Sequence, residues 1–271
     1  MPQTIKSLTG FIGKISAVKP ASDEVLLYRG HSNRLRFKLW PSVMRKAKYR
    51  KAEPTILRDL VASQPSEFAS DLSALEQLAR VQHYSLPTRL LDVTWNPLVA
   101  LFFAVKEHPK IAGEVVVFRI KKNQVKYFDS DTVSCVANLA HLDKSEKDAI
   151  DFSLIGDAFQ KQPPVDRLLH FIRAEKSHFR PLIDPQDLKR VFCVKPKQNN
   201  RRIIAQNGAF LLFGLTQDLI STPAPGITVE HILINKNSKK GILNDLDRMN
   251  INDSTMFPEI DRAAIYIRRN L

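Results

Sequence analysis

Short runs of β-branched and aromatic residues are interspersed with helical patterns along this chain, and their irregular order limits the possible folds. The runs at 25–29, 114–120, 190–194, 209–213 and 228–234 have the length and composition of strands. Helical segments do not follow each strand in turn, as crossover connections in a parallel sheet require. We therefore predict the α+β class.

Local signals add helices to these strands. Apolar residues at helical spacing predict a helix over about 67–82, with Ser66 as its N-cap. Residues 145–175 are expected to be mainly helical, with an interruption at a Pro-Pro pair. A helix at 240–249 is expected to precede a last strand at 263–267. No linker separates two cores, so we expect a single domain.

Composition bears on the class of protein. No run approaches the roughly 20 apolar residues needed to span a bilayer, and the first residues lack the pattern of a signal peptide. Cys135 and Cys193 lie in apolar surroundings and are expected to be buried, inert thiols. Metal-binding motifs are absent, so we expect no metal. These features favour a cytoplasmic protein without a membrane partner.

Positive charge is concentrated near the start of the chain. The net charge is +13, and the segment from Arg29 to Lys51 contains nine basic residues and no acidic one. Such a segment attracts polyanions, although a solvated basic face that promotes solubility is the alternative. The residues predicted to contact nucleic acid are Arg34, Arg36, Lys38, Arg45, Lys46, Arg201 and Arg202.

The first candidate site is the tripeptide Tyr28-Arg29-Gly30. An arginine at the end of a buried strand is costly unless a carboxylate, a carbonyl or a ligand anion meets it. Gly30 is expected to stop the strand and to allow a turn or a close ligand contact. Either an ion pair that anchors the strand or an anion-binding role explains Arg29.

The second candidate site is the polar segment from His83 to Asn96. It carries more aromatic and charged residues than a simple connector, which favours a binding site held between rigid elements. Asn96 is expected to cap a helix that begins at Pro97. The alternative is purely structural, with Arg89 and Asp92 forming a local ion pair.

The third candidate is Gln206, which directly precedes a turn and an apolar strand. Its amide is expected to face a cleft while the strand is buried. A turn residue that bonds its own backbone is the alternative.

These blocks, in this order, resemble the FRG domain family. The resemblance covers about residues 20–268 and departs from the family pattern at Ser85, where the family often has glycine. The matching positions are Tyr28-Arg29-Gly30, His83, Tyr84, 87–92, Asn96, Ala100, Gln206, Gly208, Phe210 and the tail at 255–262.

FRG domains are similar to ADP-ribosyltransferases. The resemblance therefore implies a mixed, mostly antiparallel split sheet of ADP-ribosyltransferase-like type, flanked by helices, in a single domain over residues 1–271. It also implies that Arg29, Thr94 and Gln206 are the catalytic residues, with Thr94 ending a strand that begins at Leu90. An arginine fork suits phosphate groups, and a threonine hydroxyl can brace a catalytic residue.

NAD is the substrate that this resemblance implies, and another nucleotide is the alternative. Gln206 lacks the charge of a catalytic glutamate, so Glu175 or Asp92 are candidates to supply it. The residues expected to bind the dinucleotide are Tyr28, Gly30, His31, His83, Tyr84, Thr88, Arg89, Asp92 and Asn96.

Three functions follow as hypotheses. The first is an NAD-dependent ADP-ribosyltransferase or NAD-consuming effector, such as a toxin or phage-defence component, with DNA or RNA as an acceptor. The second is a non-catalytic module that binds nucleic acid or nucleotides. The third is a nuclease-like enzyme that uses His83 and Asp92. In the first case, we expect Arg29→Ala to abolish nucleotide binding with little change in melting temperature.

Overall fold

One sheet organises the chain. The computed structural model describes residues 4–215, 219, 224–260, 264, 266 and 268. Among these, seven strands form the order β4-β5-β6-β2-β1-β3-β7, in which β4 and β5 are parallel and every other pair is antiparallel. The strands are β1 (Glu24–His31), β2 (Leu90–Thr94), β3 (Gly113–Lys121), β4 (Val125–Tyr127), β5 (Val191–Lys195), β6 (Gly208–Phe213) and β7 (Ile227–Ile234).

Helices flank this sheet. Their bounds are α1 (Leu8–Ala17), α2 (Ala47–Ser63), α3 (Pro65–Phe68), α4 (Ala74–His83), α5 (Pro97–Val105), α6 (Asp131–Asn138), α7 (Lys144–Asp148), α8 (Gly156–Gln160), α9 (Pro163–Glu175), α10 (Arg201–Ala205), α11 (Lys239–Arg248) and α12 (Asp253–Met256). The predicted α+β class, with a mixed and mostly antiparallel sheet flanked by helices, is confirmed.

The apolar core lies on both faces of the sheet. Neighbouring residues of a strand point to opposite faces, so Leu90 packs in one cluster with helices α4, α6 and α9, while Leu91 joins a cluster on the other face. Val115 packs with α1, α5 and α11, and Val116 faces the other side. The sheet therefore has a helix-covered face and an opposite face, which carries Leu91 and Val116. Cys135 and Cys193 are buried, and burial raises the pKa of each thiol to about 12, as expected of inert thiols.

Two predicted boundaries are wrong. The helix expected over 67–82 is two helices, because the chain leaves helical geometry after Phe68 and re-enters it with Ser73, not Ser66, as the N-cap of α4. Leu72, which fitted the helical spacing, is 72 % exposed in the gap. The Pro-Pro pair begins α9 instead of interrupting a helix, since proline suits the first helical turn.

Gly30 does not end β1, which continues to His31. A Cβ at this position would lie 1.9 Å from the carbonyl oxygen of Ala100 and 2.7 Å from the amide nitrogen of Ala104. Helix α5 thus packs directly on the backbone of β1. Gly30 is needed for this close approach of a helix. The sequence had instead suggested that Gly30 allows a turn or a close ligand contact.

The predicted last strand falls mostly outside the described residues. Of its positions, Ala264 and Tyr266 are described, and both are helical. No helix in the described part of the chain is both long and apolar enough to cross a membrane.

The sheet opens between its two central strands. Among the described residues, β1 and β2 pair only through Tyr28 and Thr94, whereas β1 pairs with β3 along its whole length. Beyond this point the backbones of β1 and β2 separate. The separation divides the sheet into two parts and creates a gap beside Arg29 and Asp92.

Candidate functional site

A cavity of about 340 Å³ occupies the gap between β1 and β2. This volume lies within the range of small-molecule sites in proteins. The walls come from the end of β1, from β2, from α5 and from the segments around residues 202–206 and 257. Arg29, Thr94 and Gln206, which sequence motifs singled out from three distant parts of the chain, all line this cavity.

The Arg29 guanidinium spans the gap. Its Nη1 donates to the backbone carbonyl of Asp92, and this bond connects β1 and β2 where their backbones have separated. The Nε of Arg29 donates to Nε2 of His31 at 3.1 Å. Its Nη2 makes no hydrogen bond with the described residues. Burial holds the pKa of Arg29 below its ordinary value, so an anion in the cavity would stabilise the charge.

A buried network fixes the position of Arg29. Because the Nε of Arg29 can only donate, Nε2 of His31 must be unprotonated and Nδ1 must carry the proton. Nδ1 of His31 donates to Glu114 at 2.9 Å, and Nδ1 of His231 contacts the other oxygen of Glu114 at 3.0 Å. These contacts lower the pKa of Glu114 to about 2 against the opposing effect of burial. Burial lowers the pKa of His31, which favours the neutral form that this arrangement requires.

Thr94 and Gln206 are directly connected. The hydroxyl of Thr94 lies 2.7 Å from the backbone carbonyl of Gln206 and accepts from the backbone N–H of Asn96 at 3.0 Å. The side-chain Nε2 of Gln206 donates to the carbonyl of Met256 at 2.9 Å, and its Oε1 has no partner among the described residues. Thr94 therefore positions Gln206, whose amide oxygen is available to accept a hydrogen bond.

Asp92 is the candidate acid that reaches the cavity. Its Oδ1 accepts from Nε2 of Gln82 at 2.6 Å, and its Oδ2 lies 4.0 Å from Nη1 of Arg29. The side chain is 61 % exposed. Glu175, the other candidate acid, is not among the lining residues, because its Oε2 accepts from the backbone N–H of Ala74 at the start of α4.

Lys106, Arg202 and Phe257 are among the lining residues that the sequence interpretation missed or assigned elsewhere. The ring of Phe257 lies between two cations, 4.2 Å from Nζ of Lys106 and 4.9 Å from Cζ of Arg202. Arg202 was predicted to contact nucleic acid, and Lys106 and Phe257 carried no prediction. The tail motif around Phe257 was noticed as a resemblance, but no local signal connected it to the cavity.

Thr88 and Arg89 correct the predicted binding set. Both side chains are fully buried and neither lines the cavity. Arg89 makes a two-pronged contact with Glu53, at 2.9 Å and 2.7 Å, and donates to the carbonyls of Phe213 and Gly214. The expected alternative, an Arg89–Asp92 pair, is also wrong. Arg89 connects α2 to the end of β6 and has no access to a ligand.

Five other residues of the predicted binding set line this cavity or an adjoining one. Tyr28, Gly30, His31 and Asp92 line it. His83 lines a small adjoining cavity of about 60 Å³ that shares Asp92, Arg202 and Gln206 with the larger one.

Two further residues of the predicted set, besides Thr88 and Arg89, lie outside both cavities. Tyr84 is half exposed, and its hydroxyl donates to Glu67. Asn96 caps α5 through the N–H of Leu98, as predicted. Ser85, where the resemblance departs from glycine, has a φ of 63°, a conformation that glycine adopts without strain.

The predicted nucleic-acid residues lie mainly on one exposed segment. Arg34, Arg36, Lys38, Arg45 and Lys46 are exposed around the loop that follows β1, and none forms an ion pair with the described residues. Arg201 is also exposed, whereas Arg202 turns toward the cavity. No group of three potential metal-ligating side chains occurs in the described ranges.

The resemblance to the FRG family is confirmed over part of the chain. The family model of the FRG domain matches residues 24–112, which include Tyr28-Arg29-Gly30 and the block from His83 to Ala100. No curated protein and no solved structure matches the chain. Residues 24–112 thus bring Arg29 and Thr94 to the cavity, while Gln206 lies outside the matched segment. Residues 24–112 of this chain therefore match the FRG domain family.

Proposed function

We propose that the cavity binds NAD and that this protein transfers its ADP-ribose group to an acceptor, with water as the acceptor in the hydrolytic case. The observation that carries the proposal is that one cavity holds Nη2 of Arg29 and Oε1 of Gln206, neither of which has a hydrogen-bond partner among the described residues. Arg29 binds the phosphates of the dinucleotide.

The proposed reaction uses these contacts. The bond between the nicotinamide nitrogen and C1′ of the ribose breaks, and its electron pair leaves with nicotinamide. Positive charge then develops on the ribose, and the acceptor forms the new bond to C1′ and loses a proton. Oε1 of Gln206 accepts a hydrogen bond from a ribose hydroxyl, and Thr94 holds the Gln206 backbone in place.

Asp92 supplies the negative charge that Gln206 lacks. It lines both cavities together with Gln206, and its partners Gln82 and Arg29 fix the carboxylate at the gap. A carboxylate beside the developing cation stabilises the transition state electrostatically. In this role the protein is an NAD-consuming effector, consistent with the toxin or phage-defence function that the family resemblance implies.

Nicotinamide release from NAD by the purified protein, with chelator present and with or without DNA or RNA, tests the proposal. We expect release by the wild type, its loss in Arg29→Ala, and a loss of about a hundredfold in Asp92→Asn. Gln206→Glu is expected to restore release in the Asp92→Asn background. In the assays without nucleic acid, the matched control is Arg36→Ala, which removes an exposed arginine that forms no ion pair with the described residues. Absence of release by the wild type under all conditions would refute the proposal.

A non-catalytic module that binds nucleic acid is the second candidate. The exposed basic residues from Arg34 to Lys46, which form no ion pair with the described part of the chain, favour it, because binding of such cations to phosphates releases the counterions of the nucleic acid. Salt-sensitive binding of DNA or RNA by a protein that never consumes NAD is the result that would select this candidate.

A further inference from the structure

A lysine held between two aromatic rings forms a separate feature on the opposite face of the sheet. Nζ of Lys195 lies 5.3 Å from the ring centroid of Trp95 and 5.3 Å from that of Tyr127. Tyr127 and Lys195 are direct partners of the parallel pair β4–β5, and the N–H of Trp95 bonds to the carbonyl of Asn207 next to β6. The register of three strands therefore builds this group, which we call the aromatic platform.

The aromatic platform carries an unneutralised charge. Lys195 forms no ion pair with a carboxylate among the described residues, and its attraction to two ring faces leaves its ammonium donors available. Tyr127 is 61 % exposed, so one side of its ring is open to a partner. A surface that combines an open aromatic ring with a free cation fits a ligand with both planar bases and phosphates.

The platform is close to the cavity. Val93 lines the cavity, and Trp95 lies two residues further along, so both side chains point to the same face of the sheet. Phe37, which lies in the basic segment from Arg34 to Lys46, also lines the cavity. Burial lowers the pKa of Arg29, and the charge of Arg45 in the same segment lowers it further. The cavity wall thus includes a residue next to the platform and a residue of the basic segment.

We propose that the aromatic platform of Trp95, Tyr127 and Lys195 binds single-stranded nucleic acid, with a base stacked on Tyr127 and a phosphate on Lys195. In a duplex the base faces are covered by neighbouring pairs, so a stacking surface selects single strands. Stacking is tolerant of sequence because every base has a planar face, which predicts weak dependence on base identity.

Fluorescence anisotropy with a labelled 12-nucleotide single strand, and with its duplex, tests this proposal in the absence of NAD. Tyr127→Ala is expected to weaken single-strand binding about tenfold, while Tyr127→Phe, which keeps the ring, is expected to bind like the wild type. Lys195→Gln is expected to reduce the slope of affinity against salt concentration by about one. The control is Lys240→Gln, which removes an exposed lysine from α11 on the helix-covered face.

Equal single-strand affinities for Tyr127→Ala and Lys240→Gln, or a wild-type preference for the duplex, would overturn the proposal. Melting temperatures of the variants verify that they fold, and the exposed position of Tyr127 makes a folding defect unexpected. Because NAD is absent from this experiment, a negative result leaves the proposed NAD chemistry unaffected. Failure of nicotinamide release likewise leaves the platform intact.

Discussion

Arg29 and Arg89 lie in the same matched segment, yet their surroundings differ. Arg89 has no exposed side-chain surface, and it bonds both oxygens of Glu53 and two backbone carbonyls. Arg29 is 18 % exposed and bonds one carbonyl and one imidazole, and its Nη2 has no partner among the described residues. The number of satisfied donors, more than the motif itself, therefore distinguishes a structural arginine from a ligand-binding one.

The largest expected effect on stability comes from removing the counter-charge of Arg89. Glu53→Gln keeps the shape of the side chain but leaves Arg89 as a buried cation without a counter-charge. We expect a loss of about 3–5 kcal/mol in the free energy of unfolding, measured by denaturant titration. A loss below about 1 kcal/mol would mean that Arg89 reaches solvent and is not the structural residue described.

The next-largest effect concerns how the stability of the network around Arg29 depends on acid pH. The pKa of Glu114 is about 2 in the folded chain and 4.5 ordinarily. The ionised carboxylate therefore stabilises the fold fully at pH values above its ordinary pKa. This contribution, roughly 3 kcal/mol at neutral pH, is lost as the pH falls from about 4.5 toward 2. Glu114→Gln is expected to reduce the change in the free energy of unfolding with pH across this range. Parallel acid curves for variant and wild type would contradict the assignment.

A smaller stability effect is expected at Arg29 itself. Arg29→Ala removes the bonds to the Asp92 carbonyl and to His31, which together stabilise the fold by about 1–3 kcal/mol. This loss of stability is larger than the small change in melting temperature predicted from the sequence, because Arg29 also connects the separated strands β1 and β2. Thermal unfolding beside the Arg36→Ala control measures it. A loss as large as that of Glu53→Gln would make Arg29 as structural as Arg89.

The smallest effect is expected at Asp92. Its carboxylate is exposed and lies 4.0 Å from Arg29, so Asp92→Asn should change the free energy of unfolding by less than about 1 kcal/mol. It is the isosteric counterpart of Glu53→Gln, and denaturant titration of both variants compares the two carboxylates directly. A loss of several kcal/mol at Asp92 would remove the distinction between the two arginine environments.

The sequence predicted elements whose signals are local. Asn96 and Pro97 cap and begin α5 as expected, and the valine-rich run at 114–120 lies within β3. The start of α4 was misplaced because Leu72 matches a helical spacing although it lies outside the helix. Periodicity alone cannot detect such a break.

Contacts between distant segments could not be predicted. Glu53 precedes Arg89 by 36 positions, and nothing in their spacing indicates that they pair. Glu114 and His231 are likewise separated along the chain and meet only because β3 and β7 are adjacent. The candidate site was located through motifs at Arg29, Thr94 and Gln206, but the network that orients Arg29 depends on strand order.

Direct titration of NAD into the protein at low salt tests the central claim that the gap between β1 and β2 is a nucleotide site organised by Arg29. Calorimetry on the wild type, Arg29→Ala and Arg36→Ala separates the cavity arginine from the exposed one. We expect Arg36→Ala to bind within twofold of the wild type and Arg29→Ala to bind at least about tenfold more weakly. Equal affinities of the wild type and Arg29→Ala, or no binding by the wild type, would contradict the account.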